Sequence, residues 1–208
     1  MASRQYDRFG MHQGLATARR AGYMQYCSGL YTGMDPATER LYGASISKSE
    51  VIRVYTAETN LYKEVNCCLR DDRDMGVHGD YIFHCKEALK KEYCSNGKKF
   101  LGECFRGVNL NPETIRAYTV GRKFLWPSFT STSRREWRAF DGNVLFQIDC
   151  DGPGITYSVD IAHLSVYSAE EEVLIYPYSG FKVQDVVPNY KGKTLIRLQV
   201  VDTFLVEG

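Results

Sequence analysis

Three short stretches of the 208-residue sequence combine residue types that can bind a charged ligand and act on it. In residues 103–107, Arg106 sits inside a candidate strand and is followed by Gly107, which would let a ligand approach the backbone. Residues 130–133 carry hydroxyls, which can orient a carboxylate or a ribose. Residues 170–172 are three glutamates directly before an apolar run. A cation, hydroxyls and paired carboxylates suit a site that grips a pyrophosphate and stabilises positive charge developing on a sugar carbon.

Each stretch alone also has a plain structural explanation. Arg106 could be a solvated edge-strand residue, the hydroxyl run a polar strand face or a turn, and the acidic run a solvated loop end. At strand spacing, however, Glu170 and Glu172 point to one side and Glu171 to the other. Repulsion between two carboxylates held that close raises the pKa of at least one of them. This repulsion costs free energy, and a purely structural sheet has no reason to bear that cost. Ser131 lacks the context of a serine nucleophile.

The elements that must position these residues divide the chain into a helical first part and a β-rich second part. We predict four helices. The first starts near Ser47, and the fourth runs from Pro112 to Tyr118. The second buries Leu61, Val65, Cys68 and Leu69, and the third buries Ile82, Cys85 and Leu89. Predicted strands cover 102–108, 128–131, 144–149, 172–176, 182–187 and 194–204, with turns at 151–154 and 189–192. The fold class is therefore α+β, a single domain with a helical lobe at about 1–96 and a β core at about 97–208.

Composition excludes several classes of protein. Lys plus Arg is 26 and Asp plus Glu is 25, so the net charge of +1 gives no electrostatic footprint for nucleic acid. Apolar residues are 44% of the chain, which indicates a globular protein, and no apolar run of membrane-spanning length occurs. No metal site is expected, because cysteine and histidine lack ligand spacing.

The cysteines and the N-terminal residues bear on the compartment. The count of seven cysteines is odd and Cys67 and Cys68 are adjacent, so free thiols are more consistent than a disulfide framework. The first residues form no secretory signal. We therefore expect a cytoplasmic location, or secretion if a signal has been removed, in which case two cysteines could pair.

The motifs resemble those of the R-S-E class of mono-ADP-ribosyltransferases, a class of vertebrate surface enzymes and bacterial toxins. The resemblance rests on Phe105-Arg106-Gly107, Phe129 to Ser133, Glu170 to Ile175, and the upstream stretch Ile52 to Arg70, within about 46–204. It implies a split β-sandwich around an NAD cleft, with a helical lobe packed beside it. It also implies that NAD is held without a glycine-rich dinucleotide loop, and the sequence contains no such loop.

The resemblance implies roles for individual residues. Arg106 would grip an NAD phosphate, the Gly107 backbone would meet the nicotinamide amide, Ser131 would hold Glu172, Thr132 and Ser133 would support the strand at the cofactor, and Phe140 would stack on nicotinamide. Glu172 would stabilise the oxocarbenium-like transition state. Glu170 would orient and deprotonate an arginine acceptor. A further phosphate contact would come from Arg134, Arg135 or Arg138, and Tyr167 would either touch the target or be a half-buried loop aromatic.

The resemblance therefore implies an arginine-directed mono-ADP-ribosyltransferase. NAD would be its co-substrate without a metal, its partner would be a protein acceptor with an exposed arginine, and we expect a monomer. An NAD glycohydrolase shares every one of these residues, with water in place of the acceptor. An inactive NAD-binding module and an unrelated α+β interaction domain stay open as non-enzymatic hypotheses.

Overall fold

The computed structural model describes residues 48–57, 61–71, 78–152 and 158–201. Its first three helices are α1 (Lys48–Thr56), α2 (Leu61–Asp71) and α3 (Gly79–Cys94). The apolar positions predicted for α2 are the ones that it buries. Ser47, predicted to cap α1, lies outside the described residues, and the first described helical residue is Lys48. The three helices form a lobe that precedes the sheet in the chain.

A fourth helix, α4 (Pro112–Ala117), lies within the β-rich part, where the sequence predicts it. The Asn111 side chain accepts a hydrogen bond of 2.7 Å from the Thr114 amide, and proline occupies the first turn. A capping oxygen satisfies an amide that has no partner within the helix, and proline has no amide to satisfy, so both residues favour a helix start here.

Eight strands form the sheet of the described region. They are β1 (Glu103–Val108), β2 (Lys123–Trp126), β3 (Thr130–Ser133), β4 (Val144–Asp149), β5 (Ser158–Asp160), β6 (Glu172–Ile175), β7 (Ser179–Tyr190) and β8 (Lys193–Val201). Their order is β2-β7-β8-β4-β1-β3-β6-β5, and only β4 and β8 are parallel. Between β1 and β3 the register has one residue pair, Phe105 with Ser133. The sheet is thus split at this point into a five-stranded and a three-stranded part.

Strand β6 shows how the two parts and the helices pack. Val173 and Ile175 belong to the core that also contains Phe146 and Phe181 of the five-stranded part. Leu174, on the opposite face, belongs to the core formed with the three helices. Because successive side chains of a strand alternate in direction, β6 is buried on both faces. The predicted α+β class, with a helical lobe packed on a split sheet, is confirmed.

The structure corrects several predicted boundaries. The hydroxyl-bearing strand begins at Thr130 rather than Ser128, because the Phe129 amide donates to the side chain of Asn66 and not to a neighbouring strand. Strands β2 and β5 were not predicted, since four and three residues are too short to show a clear alternation. The turn at 189–192 joins β7 to β8, whereas residues 153 and 154 of the other predicted turn lie outside the described residues.

Two further properties concern only the part of the chain that the structure describes. In that part no helix has the length and apolar character needed to cross a membrane. Its six cysteines are all free, and Cys104 and Cys150 approach to 3.7 Å between their sulfur atoms.

Candidate active site

A cleft of about 450 Å³ lies where the helical lobe meets β1, β3 and the loop before β6. This volume is within the usual range of small-molecule sites. Six of the residues predicted to form the site line it, namely Arg106, Gly107, Ser131, Phe140, Glu170 and Glu172, together with Tyr167. The fold therefore brings together side chains from three separate stretches of sequence.

Arg106 enters the cleft from the middle of β1. Its Nη1 donates a hydrogen bond of 2.7 Å to the backbone carbonyl of Ser131, which fixes the guanidinium against the hydroxyl-bearing strand. Burial, and less strongly the repulsion from Arg70, lowers the pKa of Arg106. A guanidinium remains charged at neutral pH despite such a shift, so the cleft contains a fixed positive charge.

Glu172 is the first residue of β6 and lies opposite Ser133 of β3 in the register. Its side chain is buried, with 6% of the residue exposed. Burial, assisted by repulsion from Glu170, raises the pKa of Glu172 to about 7, although hydrogen bonds from Ser131 and Ser165 and the charge of Arg106 act in the opposite direction. Glu172 is therefore a carboxyl group whose charge changes near neutral pH.

Glu170 reaches the cleft in a different way from the one predicted. It lies in a turn of 3₁₀ helix, Ser168–Glu170, and Glu171 has a left-handed backbone with φ of 50°. The strand starts at Glu172, as predicted, but Glu170 lies outside it, so the strand spacing that put Glu170 and Glu172 on the same side was wrong. Both carboxyl groups nevertheless line the cleft, because the left-handed residue turns the chain between them.

The glycine at position 107 is explained by packing. A Cβ atom at this position would lie 1.7 Å from the carbonyl oxygen of Phe140. The sequence suggested that a ligand would approach the backbone closely at Gly107. In the structure, the backbone of the loop after β3 makes this close approach instead. Phe140 itself is 71% exposed at the rim of the cleft, where stacking of its ring on a ligand remains a prediction.

Thr132 and Ser133 do not line the main cleft but border a small recess beside it. The Thr132 hydroxyl donates a hydrogen bond of 2.7 Å to the Val173 carbonyl of β6. The Ser133 hydroxyl is 3.4 Å from the Arg138 carbonyl, to which it donates. These contacts support the strand, whereas direct contact of either hydroxyl with NAD stays a prediction.

A second positive charge in the cleft comes from Arg70 at the end of α2, for which the sequence indicated no role. The three arginines predicted to supply a further phosphate contact do not line the cleft. Arg134 pairs with Asp160, and Arg135 lies 3.4 Å from Glu171. In the sequence, Arg70 looks like any residue on the solvated face of an amphipathic helix, and only the fold places it beside Arg106.

Asn66 of α2 connects the helical lobe to the hydroxyl-bearing strand. Its Nδ2 donates a hydrogen bond of 2.7 Å to the Tyr55 hydroxyl of α1, and its Oδ1 accepts one of 3.1 Å from the Phe129 amide. The Tyr55 and Phe129 rings are in contact, with centroids 5.3 Å apart. Asn66 therefore fixes the start of the strand that carries Ser131, another role that the sequence did not reveal.

The segment from 161 to 171, here called the β5–β6 loop, is fastened at separate points. The Thr56 hydroxyl oxygen of α1 accepts a hydrogen bond of 3.0 Å from the Val166 amide. Nearer its start, His163 Nε2 lies 3.3 Å from the carboxylate of Glu92 on α3. These contacts place Tyr167, which is 37% exposed, at the mouth of the cleft.

The sequence has measurable similarity to known proteins. A family model described as NAD:arginine ADP-ribosyltransferase matches residues 41–203. The NAD(+)--protein-arginine ADP-ribosyltransferase Tre1 of Pseudomonas putida (strain GB-1) is 32% identical over 129 residues, which are 62% of this chain. The match covers 24% of that relative, so the chain spans about a quarter of its length.

Solved structures agree with this assignment at the level of the fold. ADP-ribosyltransferase HopU1 of Pseudomonas syringae pv. Tomato DC3000 superposes with a TM-score of 0.65 at 22% identity, covering 91% of this chain and 99% of the chain in that structure. Exoenzyme S from Pseudomonas aeruginosa gives a TM-score of 0.57 at 17% identity, covering 88% of this chain and 87% of the chain in that structure. The family match, the shared fold and the cleft agree: the chain belongs to the NAD:arginine ADP-ribosyltransferase family.

Proposed function

We propose that this protein transfers ADP-ribose from NAD to the guanidinium group of an arginine in a protein acceptor and releases nicotinamide. The observation that carries the proposal is the buried Glu172 carboxyl beside the Arg106 guanidinium, with the half-buried Glu170 carboxyl at the same cleft. These groups match the charges that the reaction presents. The phosphates of NAD are negative, and both the reacting ribose carbon and the acceptor are positive.

The positive groups of the cleft suit the pyrophosphate of NAD. Arg106 is held by its hydrogen bond to the Ser131 carbonyl, and Arg70 faces it from the helical lobe. Two guanidiniums can each donate several hydrogen bonds to phosphate oxygens in a fixed planar geometry. Binding of a dianionic group would also offset the mutual repulsion of Arg70 and Arg106. We assign these two residues to the phosphates.

Glu172 acts on the bond that breaks. NAD supplies an ADP-ribose group with nicotinamide as the leaving group, which departs with the electron pair of the bond between its ring nitrogen and the ribose carbon. The ionised Glu172 carboxylate stabilises the positive charge that develops on the ribose, and Ser131 holds that carboxylate in place. A preorganised charge in a cleft of low dielectric is worth more than the same charge in water. Activity therefore requires Glu172 without its proton.

Glu170 acts on the bond that forms. A guanidinium is a poor nucleophile while it carries its full charge, so the acceptor must be oriented and relieved of one proton. The Glu170 carboxylate accepts that proton as the guanidinium nitrogen bonds to the ribose carbon. Its place on a turn at the mouth of the cleft leaves it accessible to a large acceptor.

The proposal is tested by incubating the purified protein with NAD and agmatine, a small guanidinium compound, and measuring nicotinamide and ADP-ribosylagmatine separately. We expect both products in equal amounts, and about a thousandfold slower formation of both by Glu172→Gln. Mass spectrometry of a treated lysate should then find ADP-ribose on arginine side chains. NAD binding without nicotinamide release would contradict the proposal and indicate an inactive binding module.

An NAD glycohydrolase is the second candidate, because water can take the place of the acceptor beside the same carboxyl groups. It differs in one observable result. A hydrolase releases nicotinamide at the same rate with and without agmatine and forms no adduct, whereas a transferase forms the adduct.

A further inference from the structure

Ser165 of the β5–β6 loop is a buried residue in contact with the reactive carboxyl, and the functions assigned above do not use it. The residue is 6% exposed. Its Oγ donates a hydrogen bond of 3.4 Å to Oε2 of Glu172, seven residues later in the chain. The same Oγ accepts a hydrogen bond of 3.1 Å from the backbone amide of Tyr167. A serine hydroxyl has a single proton, so the two bonds fit one orientation of the hydroxyl.

The backbone of the loop fixes this hydroxyl from both sides. The Ser165 amide donates a hydrogen bond of 2.9 Å to the carbonyl of Ile161, the first residue after β5. The next amide, that of Val166, is bonded to the Thr56 side chain of α1. A continuous chain of two hydrogen bonds therefore runs from the Tyr167 amide through the Ser165 hydroxyl to the Glu172 carboxylate. A movement of the loop at Tyr167 would break the bond that orients the Ser165 proton toward Glu172.

We propose that Ser165 is a positioning residue that couples the conformation of the β5–β6 loop to the position of the Glu172 carboxylate. The proposal rests on the function proposed above, in which Glu172 stabilises the ribose cation. Ser131 holds the same carboxylate from the rigid strand β3, whereas Ser165 holds it from the loop that lies at the mouth of the cleft. Two donors on one carboxylate fix its rotation more closely than one. The loop donor makes this orientation depend on how the loop is arranged around the acceptor.

The coupling has a consequence for the ionisation of Glu172. A donor to a carboxylate stabilises its charged form, and the Ser165 bond acts against the burial that raises the pKa of Glu172. The other titratable or charged groups facing this carboxyl are Glu170 of the loop, Arg106 of β1, Tyr55 of α1 and Cys85 of α3. None of them changes in Ser165→Ala, so the variant should raise the pKa of Glu172 further.

The test compares the wild type with Ser165→Ala and Ser165→Cys in the full chain. Cysteine keeps the buried volume but is a weaker donor, and it provides the comparison if the alanine variant does not fold. The control is Ser179→Ala, which removes another buried serine hydroxyl. This hydroxyl lies away from the cleft and donates a hydrogen bond of 2.6 Å to the Tyr176 carbonyl. Thermal unfolding of each variant shows which are folded.

Two readouts are measured. The first is the titration of the Glu172 side-chain carboxyl by carbon-13 NMR, and we expect a rise in its pKa of roughly half a unit to one unit in Ser165→Ala. The second is the pH profile of kcat for nicotinamide release, whose acid limb should move upward by the same amount. At neutral pH this shift lowers the ionised fraction of Glu172, and with it kcat, about two- to fivefold, while KM for NAD changes less than about twofold. Ser165→Cys should lie between the wild type and Ser165→Ala, and Ser179→Ala should match the wild type.

The outcomes separate this proposal from the proposed function. A folded Ser165→Ala with the wild-type titration and the wild-type acid limb would overturn the role of Ser165, while transfer to agmatine by the wild type would still support the function. A wild type without nicotinamide release would overturn the function and with it the catalytic coupling. In that case the NMR titration would still show whether the hydrogen bond to Glu172 exists. An equal effect of Ser179→Ala would reduce Ser165 to a merely structural residue.

Discussion

The two carboxyl groups of the cleft are held by regions of opposite character. Glu172 lies in β6, which is hydrogen-bonded to β3 and β5 and is buried on both faces. Glu170 lies on the β5–β6 loop, in the short turn Ser168–Glu170, and residues 166–169 of this loop are exposed. Individual side chains fasten this loop to its surroundings, through Thr56 and Glu92. One carboxyl is thus part of the core, and the other sits on a surface segment.

This difference corresponds to the two halves of the proposed reaction. The ribose cation always forms at the same place, so the group that stabilises it gains from a rigid support. The acceptor arginine arrives on another protein, so the group that receives it gains from an accessible loop. The loop and the strand are adjacent in sequence, and the left-handed Glu171 is the boundary between them. Substitutions can therefore change the strand that holds Glu172 or the loop that holds Glu170 separately.

The largest effect should follow from Glu172→Gln, which removes the charge in the rigid region. Glutamine keeps the shape but cannot stabilise the ribose cation by charge. We expect nicotinamide release to fall about a thousandfold, or ~4 kcal/mol of barrier, whether or not an acceptor is present. The measurement is the rate of nicotinamide release at saturating NAD, with NAD affinity as the control. A variant with near wild-type turnover would show that the buried carboxylate is not the stabilising group.

The same substitution should stabilise the fold, to an extent that depends on pH. The pKa of Glu172 is raised to about 7 in the folded protein against an ordinary value of 4.5, so the folded state holds its proton more tightly. The stability that this protonated carboxyl contributes to the folded state is fully present below pH 4.5 and is lost as pH rises through about 7. Glu172→Gln should therefore gain about 3 kcal/mol of unfolding free energy at about pH 8 but only about 1 kcal/mol at about pH 5.

Urea unfolding at both pH values measures this gain, and Glu170→Gln on the loop is the matched control. The control should give a smaller gain, since it only relieves the repulsion that Glu170 exerts on Glu172. An equal gain from both variants would mean that the strand carboxyl bears no greater cost of burial than the loop carboxyl.

A smaller effect should follow from Thr56→Val, which removes the hydroxyl that fastens the loop to α1. The Val166 amide would lose its 3.0 Å hydrogen bond, so the loop would adopt its productive arrangement less often. We expect KM for agmatine to rise about threefold, or ~0.7 kcal/mol, with KM for NAD nearly unchanged. Thr56→Ser keeps the hydroxyl and should restore the wild-type value. A rise in KM for NAD alone would place this contact in the NAD site instead.

The sequence was sufficient for the class of fold and for seven of the sixteen residues that line the cleft. Amphipathic spacing predicted α2 correctly because its buried residues recur on one face, and the order of the three motifs suggested the family. The complementary chemistry of the three motifs, and the resemblance that they carry, predicted that Arg106, Ser131 and Glu172 would form one site, and all three line the cleft. Location in the cytoplasm and a monomeric state stay predictions from the sequence.

Contacts between distant segments were beyond the reach of sequence patterns. Arg70 and Asn66 look like ordinary polar positions of a helix, and their roles arise only when α2 packs against β3. The orientation of Glu170 was predicted from strand spacing because an acidic run before apolar residues shows no sign of a left-handed residue at Glu171. Ser165 lies between two apolar residues and has no local signature at all.

The most direct test of the division between strand and loop is the product ratio of Glu170→Gln. NAD and agmatine are supplied together, and nicotinamide and ADP-ribosylagmatine are measured in the same sample. If the rigid strand breaks the first bond and the loop serves the acceptor, the variant should keep nicotinamide release within about tenfold of the wild type while the adduct falls at least about a hundredfold. Parallel loss of both products, or an unchanged ratio of adduct to nicotinamide, would contradict the division.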